Sequence, residues 1–522
     1  MKPSANQPAK SGGVSKKGLG QGSISTLGAI AVGLSCCAPA YTMTAALGPA
    51  ASWVNDQLPA IFIVGFIPMF LVAIGYLALN RAVPDSGTTF TWATLAFGPW
   101  VGWLAGWGLL AATIIVISNT AGIAESFLFI ALSQLFHNEA IVTLGQNLWV
   151  NIAVVLVFLG VATWISHRGM QSTKGFQYAM VAIQLFGLIW FIIAAFMAAN
   201  NGSNPHSIPI RLSWFNPFAV DSFATFSAGV AVSIFVYWGW DTVLTMSEES
   251  GEDAKGSSTG TAAAILIFTL VALYTLIGVA TVSYAGIGDG PTGLNNPDLA
   301  DNVFGVLSHP VMGWAGIFLS LAVLCSAAAS LQSTGLSPAR TLLAMGHYKA
   351  VPAKFAEVHP EYKSPSFAIL VSGLVAAAFY IGLRLISKDA LWDSITALGL
   401  LVCFYYGITA FACVWYFRRE AFESANTFLT KILMPGVGGL ILLVIFFKTT
   451  ISSLDPEFGS GAEVGGVGLV FIMGGGVIAL GVLVMIVMSF FFRPFFRGEV
   501  LGQDTPLLQI EKEGGASAPS GS

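Results

Sequence analysis

The sequence predicts an all-α polytopic membrane protein with twelve transmembrane helices, and three observations carry that expectation. Hydrophobic residues make up 55% of the 522 and charged residues only 9%, with a mean hydropathy of +0.77. A soluble domain is about a quarter charged. Apolar runs of about 20 residues, the length that crosses a bilayer, recur along the chain. The first and sixth of these runs are each interrupted near the middle, in corresponding places. Hydrocarbon offers backbone N–H and C=O groups no partners, so irregular backbone at membrane depth needs a protein cavity or a ligand. A matched pair of breaks marks a midplane binding site. The plainer alternative is that Pro39 kinks one helix and Gly239 eases packing in another.

The spans fall near 24–50, 58–79, 97–122, 148–166, 176–199, 221–247, 261–285, 303–336, 366–386, 391–417, 432–451 and 466–492. The first is broken by Ser35-Cys36-Cys37-Ala38-Pro39. Pro39 suits the first residue of an outer half-helix, where a missing N–H costs nothing. The third run continues amphipathically to about 135. The sixth is broken by Tyr237-Trp238-Gly239-Trp240-Asp241. The eighth is long and is expected to end in a cytoplasmic turn at Pro338. The inner loop after it, about 337–365, holds Leu342, Leu343 and Met345 opposite Arg340 and His347, the pattern of a short helix lying on the membrane surface. The outer segments 200–220 and 286–302 are rich in Asn, Gly, Pro and Asp and read as loops.

Lysine and arginine set the orientation. With both termini inside, only Arg211, Arg384, Lys388 and Lys448 lie outside, and the rest of the 22 Lys and Arg lie in the cytoplasm. A missed helix would scramble that asymmetry. The domain plan is a disordered cytoplasmic tail at 1–22, a core at 23–420 in two halves (about 24–199 and 221–417), two further spans within 421–495, and a second disordered tail at 496–522. The first tail carries Lys2, Lys10, Lys16 and Lys17 with no cleavage site after it, so it reads as a tail and not as a removable signal. The net charge of −4 suggests no nucleic-acid partner. Cys36, Cys37, Cys325, Cys403 and Cys413 all lie in apolar runs and read as small buried hydrophobes. Neither a metal cluster, a cofactor loop nor a nucleophile–base pair is visible, so neither an enzyme nor a cofactor is expected.

Three stretches then point to one family. "VPDSGTTFTWATLAFGPWVGWLAGW" carries Pro84, Ser86, Gly87, Phe90 and Gly98. "FVYWGWDTVLTMSEES" carries Phe235, Tyr237, Gly239, Trp240, Asp241, Glu248 and Glu249. The inner loop carries Arg340, Ala344, Met345, Gly346 and Pro352, with His347-Tyr348-Lys349-Ala350 where an acidic–Gly pair is usual. In order and at the right spans, they resemble the amino acid–polyamine–organocation transporters, bacterial amino acid permease type. The resemblance covers most of 24–420 and implies the LeuT-type fold: spans 1–5 and 6–10 as inverted repeats, then two peripheral helices. It also implies a secondary transporter in the plasma membrane, importing an amino acid or a related organic amine by alternating access. A polyamine or organocation exchanger is the nearest alternative. A transporter-like sensor is the alternative of a different class, although the tails are too short to encode an output domain.

The candidate substrate site is Ser35, Cys36, Cys37 and Ala38 with Phe235, Tyr237, Trp238, Gly239, Trp240 and Asp241. Half-helix N-termini there would favour a carboxylate, and the opposing carbonyls an ammonium or a cation. The chain departs from the family in lacking a glycine-rich first break. An ungapped reading places that break at Gly33-Leu34-Ser35, whereas Pro39 and the span midpoint favour Ser35–Ala38, the choice adopted here. Asp241 is an intramembrane acid, expected either to bind a substrate amine or to cap the inner half-helix. Glu125 is expected at the outer surface, solvated. Trp238 and Trp240 suit a gate, or ordinary bundle packing. Asn119 and Gln332 suit interhelical hydrogen bonds. Some family branches carry a lysine in the fifth span, seven residues after a glutamine. Aligning "FQYAMVAIQLFGL" on them puts Gln177 at that glutamine and Gln184 at the lysine. Glutamine cannot titrate, so coupling to a proton is either lost or moved to a group such as Asp241. Sodium, held by first-break carbonyls with Ser326 and Ser330, is the third possibility.

Overall fold

In a computed structural model, residues 17, 26–168, 174–249, 257–296, 299, 302–387 and 390–501 are described. Ten helical runs are long and apolar enough to cross a membrane, or eleven if the bent pair Phe223–Val236 and Trp240–Ser247 forms one span. The twelve expected spans exceed that number because the 57-residue run Thr26–Ala82 holds two of them. Most of both tails and Lys255 lie outside the described residues, as do the side chains of Glu248 and Glu249.

The first run comprises α1 (Thr26–Cys37), α2 (Pro39–Val54) and, beyond a turn at Asn55–Gln57, α3 (Leu58–Ala82). Then come α4 (Thr89–Phe97), α5 (Pro99–Phe136), α6 (Ala140–Gln146), α7 (Leu148–His167) and α8 (Lys174–Asn200). Asn147 caps α7 by accepting from the N–H groups of Trp149 and Val150, satisfying donors that no helix start can pair internally. The second half opens with α9 (Phe223–Val236), capped by Ser222, and a tighter 3₁₀ segment, Trp240–Glu249. It continues through α10 (Ser257–Ala285), α11 (Val303–Met312), α12 (Gly316–Thr334), α13 (Leu336–His347), α14 (Ser366–Ile386) and α15 (Ala390–Tyr416). The chain then adds α16 (Ala425–Phe428), α17 (Met434–Ser452), α18 (Leu469–Phe471) and α19 (Val477–Phe491).

Burial separates the centre from the lipid face. The most apolar stretch of α15 is 78% buried and that of α5 is 67% buried, against 22% for α7. Trp149, Val157 and Trp164 of α7 stay exposed, as a lipid-facing helix requires. α5 and α15 therefore form the scaffold, with α12, α4 and α9 packed on them.

Two expectations about the inner loop fail. Pro338 lies inside α13 and makes no turn there; the break falls at Gly335. The helix around it does form, but Arg340, Leu343 and Met345 are buried, so these side chains pack into the protein and not against lipid. The helix contacts α5 and α14. The Tyr348 hydroxyl, just past its end, donates to Asp85 Oδ2 at 2.8 Å.

Asp85 also meets Lys17. The Lys17 ammonium lies 2.6 Å from Asp85 Oδ2 and 3.1 Å from Ser86 Oγ, in a buried pair. Burial pushes the Asp85 carboxyl up, but Lys17, the Gly87 N–H and the Thr91 hydroxyl outweigh it and hold the group below the ordinary carboxylate range. A lowered pKa in the folded state adds stability above the ordinary range, and that contribution is lost as pH falls through the lowered value. Unfolding temperature in detergent is therefore expected to be insensitive to this pair from pH 8 to about 5 and to fall only on further acidification. Tyr348→Phe, which removes one charge-assisted hydrogen bond, is expected to cost about 1.5–3 kcal/mol in the same assay at pH 7. An unchanged unfolding temperature would show that the contact contributes nothing.

Candidate functional site

The two breaks meet. α1 stays helical through Cys37, and the irregularity is one residue wide: Ala38, at φ 44° and ψ 62°, is left-handed. A residue with a Cβ pays about 1–2 kcal/mol for that conformation. Pro39 then opens α2 as its first residue. The first break is thus narrower than Ser35–Ala38. The second spans Tyr237–Gly239, with a bend of 43° between the flanking helices. Gly239 has φ +100°, and a Cβ there would stand 3.2 Å from Cys36 Sγ and 3.3 Å from the Cys36 backbone. Only glycine meets both demands. Gly239→Ala is expected to cost at least the 1–2 kcal/mol of the strained backbone and to push the breaks apart. Thermal unfolding of the purified variant measures it, and a wild-type melting curve would refute the contact.

Around this junction the side chains interlock. Cys36 Sγ lies 3.1 Å from Thr242 Oγ1 and 3.4 Å from Thr334 Oγ1. The Ser330 hydroxyl donates to the Cys36 carbonyl at a long 3.4 Å, and Ser326 Oγ accepts the Tyr41 N–H at 3.2 Å. Of the two candidate hydroxyls of the eighth span, Ser330 reaches the first break and Ser326 the first turn of α2 beyond it. The Tyr237 hydroxyl donates to the Phe62 carbonyl at 2.9 Å, and the Trp238 indole N–H donates to the Tyr405 hydroxyl at 2.5 Å. These two bonds tie the second break to α3 and α15. Phe235 is buried in the last turn of α9.

Asp241 lies in the first turn of the inner segment and is buried. Its carboxyl lies beside the Tyr406 hydroxyl and its own backbone N–H, while the Thr242 N–H donates to the Gly239 carbonyl at 3.2 Å. Substrate and cap readings thus share one place. Trp240, Tyr76 and Tyr406 surround it, with ring centroids 5.4 Å (Tyr76–Trp240), 5.1 Å (Tyr76–Tyr406) and 6.0 Å (Trp240–Tyr406) apart. Ser35 Oγ and Trp240 Nε1 are buried without a hydrogen-bond partner, a costly state that a ligand or water would relieve.

Gln184 is fully buried on α8, and both atoms of its amide lack a partner. α8 packs against α1 and α12. Gln177 donates to Gln332 Oε1 at 2.9 Å, and Asn119 accepts from the Tyr41 hydroxyl at 2.7 Å. Both are interhelical partners, as read from the sequence. Glu125 corrects an expectation: it is buried, and the Asn151 amide donates to its Oε2 at 2.7 Å. α6 and α7 fold back over that end of α5 and take it out of water. Sequence reasoning missed Tyr41, Tyr76, Tyr405, Tyr406 and Thr334. The adjacent tyrosines in the middle of an apolar run were the available signal.

A family model described as "Amino acid permease" matches residues 24–494. The chain is 26% identical to an uncharacterized transporter of Mycobacterium tuberculosis over 85% of this chain and 89% of that one. It is 24% identical to cationic amino acid transporter 4, vacuolar, of Arabidopsis thaliana over 67% of this chain, and spans only 56% of that relative's length. It is 22% identical to a branched-chain amino acid permease of Bacillus subtilis, over 63% of this chain and 68% of the permease. Among solved structures it resembles MhsT in complex with L-phenylalanine, with a TM-score of 0.58 at 14% identity, covering 81% of this chain and 98% of that one. That likeness shows the LeuT-type fold.

Proposed function

Because the chain belongs to the amino acid permease family, we propose that this multi-pass membrane protein imports an amino acid or a related organic amine across the plasma membrane by alternating access. One observation supports the reading: the two broken helices touch at Gly239 and Cys36, and two buried polar groups there, Ser35 Oγ and Trp240 Nε1, have no partner. Broken helices leave backbone N–H and C=O groups for a ligand's charges, and a hinge in each helix, at Ala38 and at Tyr237–Gly239, lets the flanking segments tilt independently. The Lys and Arg asymmetry supports cytoplasmic termini. A proton or sodium gradient supplies the driving force, and the bilayer is the other partner.

The test is uptake of labelled amino acids and amines into proteoliposomes holding the full-length protein, with imposed proton or sodium gradients. Concentrative uptake is the expected result. Flux that requires substrate on both sides would make the protein an exchanger. Binding without any flux would favour a sensor.

A further inference from the structure

We infer that the turn from His359 to Ser364, on the face read as cytoplasmic, is a pH-sensitive clasp that opens when His359 gains a proton and thereby slows transport. The turn is closed by its own backbone. The His359 N–H donates to the Ser364 carbonyl at 2.9 Å, and the Lys363 N–H donates to the His359 carbonyl at 3.0 Å. The N–H groups of Glu361 and Tyr362 both donate to His359 Nδ1, each at 3.2 Å. A backbone N–H can only donate, so this nitrogen is the bare one of a neutral imidazole. A protonated histidine carries hydrogen on both ring nitrogens. Three N–H groups would then converge on one point with no acceptor among them. Histidine is the side chain that changes charge between about pH 5 and 8. The turn is therefore closed while His359 is neutral and opens as pH falls.

The surroundings favour the neutral ring. Tyr362 stacks on His359 with centroids 4.6 Å apart, and His167 stands edge-on to both rings at 5.4 Å. Charge on both histidines would bring two cations together at that range. Arg168 lies over the Trp164 ring at 4.4 Å and Lys354 over the Phe367 ring at 4.5 Å. On α13, Arg340 is buried, and His347 and Lys349 at its end are exposed. Glu357, Glu361 and Lys363 of the loop itself are exposed, so its carboxylates are screened by water and salt. α14 brings no charged group until Arg384, near its far end.

The turn also holds other elements. The buried Ser364 hydroxyl donates to the His167 carbonyl at 2.6 Å, one of the carbonyls that the end of α7 leaves without an internal partner. Just before the turn, the segment Ala353–Ala356 packs on the last turn of α13, so closely that a Cβ at Gly346 would stand 2.7 Å from the Ala356 nitrogen. α13 in turn contacts the Trp240–Glu249 segment, the inner half of the second broken span. Opening the turn releases this row from α7 and leaves the inner half without a fixed support.

The experiment measures hydrogen exchange at the Glu361 and Tyr362 amides of the purified full-length protein, at about pH 8 and about pH 5.5. Protection factors are compared, which removes the intrinsic pH dependence of exchange. In the native protein protection is expected to fall about tenfold or more on acidification. His359→Asn supplies a side-chain carbonyl that caps the same two amides and cannot titrate, so its protection is expected to change less than about twofold. A second arm lowers the inner pH over the same range at fixed outer pH, and there native uptake is expected to lose about threefold more than uptake by His359→Asn. Equal loss of protection in both proteins, or none in the native one, would overturn the inference. So would a loss that persists in His359→Asn and disappears in His167→Gln. Protection lost in the native protein alone, with matching uptake profiles, would overturn the role in transport. The exchange arm needs no flux, so it stands or falls separately from the transporter reading.

Discussion

Replacing Asp241 by Asn is expected to lower uptake about ten- to a hundredfold. The carboxyl is buried beside both breaks, and a hydrogen bond to a charged group contributes roughly 1.5–3 kcal/mol, which is one to two decades in affinity. The substitution separates two roles that coincide in space. Asparagine is as good a helix cap as aspartate, so Asp241→Asn keeps an acceptor for the N–H groups at the start of the inner segment and removes only the charge. Glu125→Gln provides the contrast. That carboxyl is also buried in a spanning helix, with the Arg384 charge nearby, but its short hydrogen bond comes from the neutral Asn151 amide, which in turn accepts from the Tyr380 hydroxyl at 2.6 Å. Glutamine can keep the same acceptor, so a change under about threefold is expected. Uptake is measured on variants whose unfolding temperature in detergent equals that of the native protein. A stable Asp241→Asn protein with native uptake would return Asp241 to capping alone.

The helical plan was legible because its signal is strong. Runs of some 20 apolar residues have few soluble explanations, and the third run's amphipathic continuation to about 135 matches the end of α5 at Phe136. What misled was local. Pro338 looked like a terminator, yet it sits near the start of α13, where proline loses no hydrogen bond. The α13 pattern looked interfacial because Arg340 and His347 oppose Leu342 and Leu343, but Arg340 is buried on a helix that packs against α5, some two hundred residues earlier in sequence. Lys17 gave no sign of its pairing with Asp85 for the same reason: polar tails carry no periodicity that reports a tertiary contact.

At the site, the breaks themselves were readable from Pro39 and Gly239, since each residue has a backbone consequence. Their width was not. Pro39 and the span midpoint mark Ser35–Ala38 as the break, whereas the structure keeps the helix through Cys37 and concentrates the strain in Ala38. The aromatic surround of Asp241 was hidden because Tyr76, Tyr405 and Tyr406 sit in runs that read as ordinary apolar helix. Aromatic residues at helical spacing are usually packing, and only their convergence on one acid separates them from the rest of the core.

Gln184→Lys is expected either to make transport depend steeply on pH or to abolish it. The native side chain is fully buried with both amide atoms unpartnered, on a helix that packs against α1 and α12. A neutral amide can offer a hydrogen bond to the opened carbonyls near the first break, but it cannot gain or lose charge within a transport cycle. The native protein is therefore expected to show little pH dependence from this position. An ammonium in its place must find acceptors, because a buried charge without them costs several kcal/mol. The carbonyls of Ser35 and Cys36 at the end of α1, the helix on which α8 packs, are the acceptors the first break offers. Lysine reaching them would imitate a bound cation and favour the one arrangement of α1 in which it is satisfied. A lysine that releases its proton during the cycle gives pH dependence; one that holds it locks the transporter. Uptake from about pH 5 to 8 in both proteins, with and without sodium and at fixed membrane potential, separates these outcomes. Steep proton dependence in the native protein that survives Asp241→Asn would assign coupling to another titrating group and refute this account of α8. Unchanged transport in Gln184→Lys would show that the position does not face the break at all.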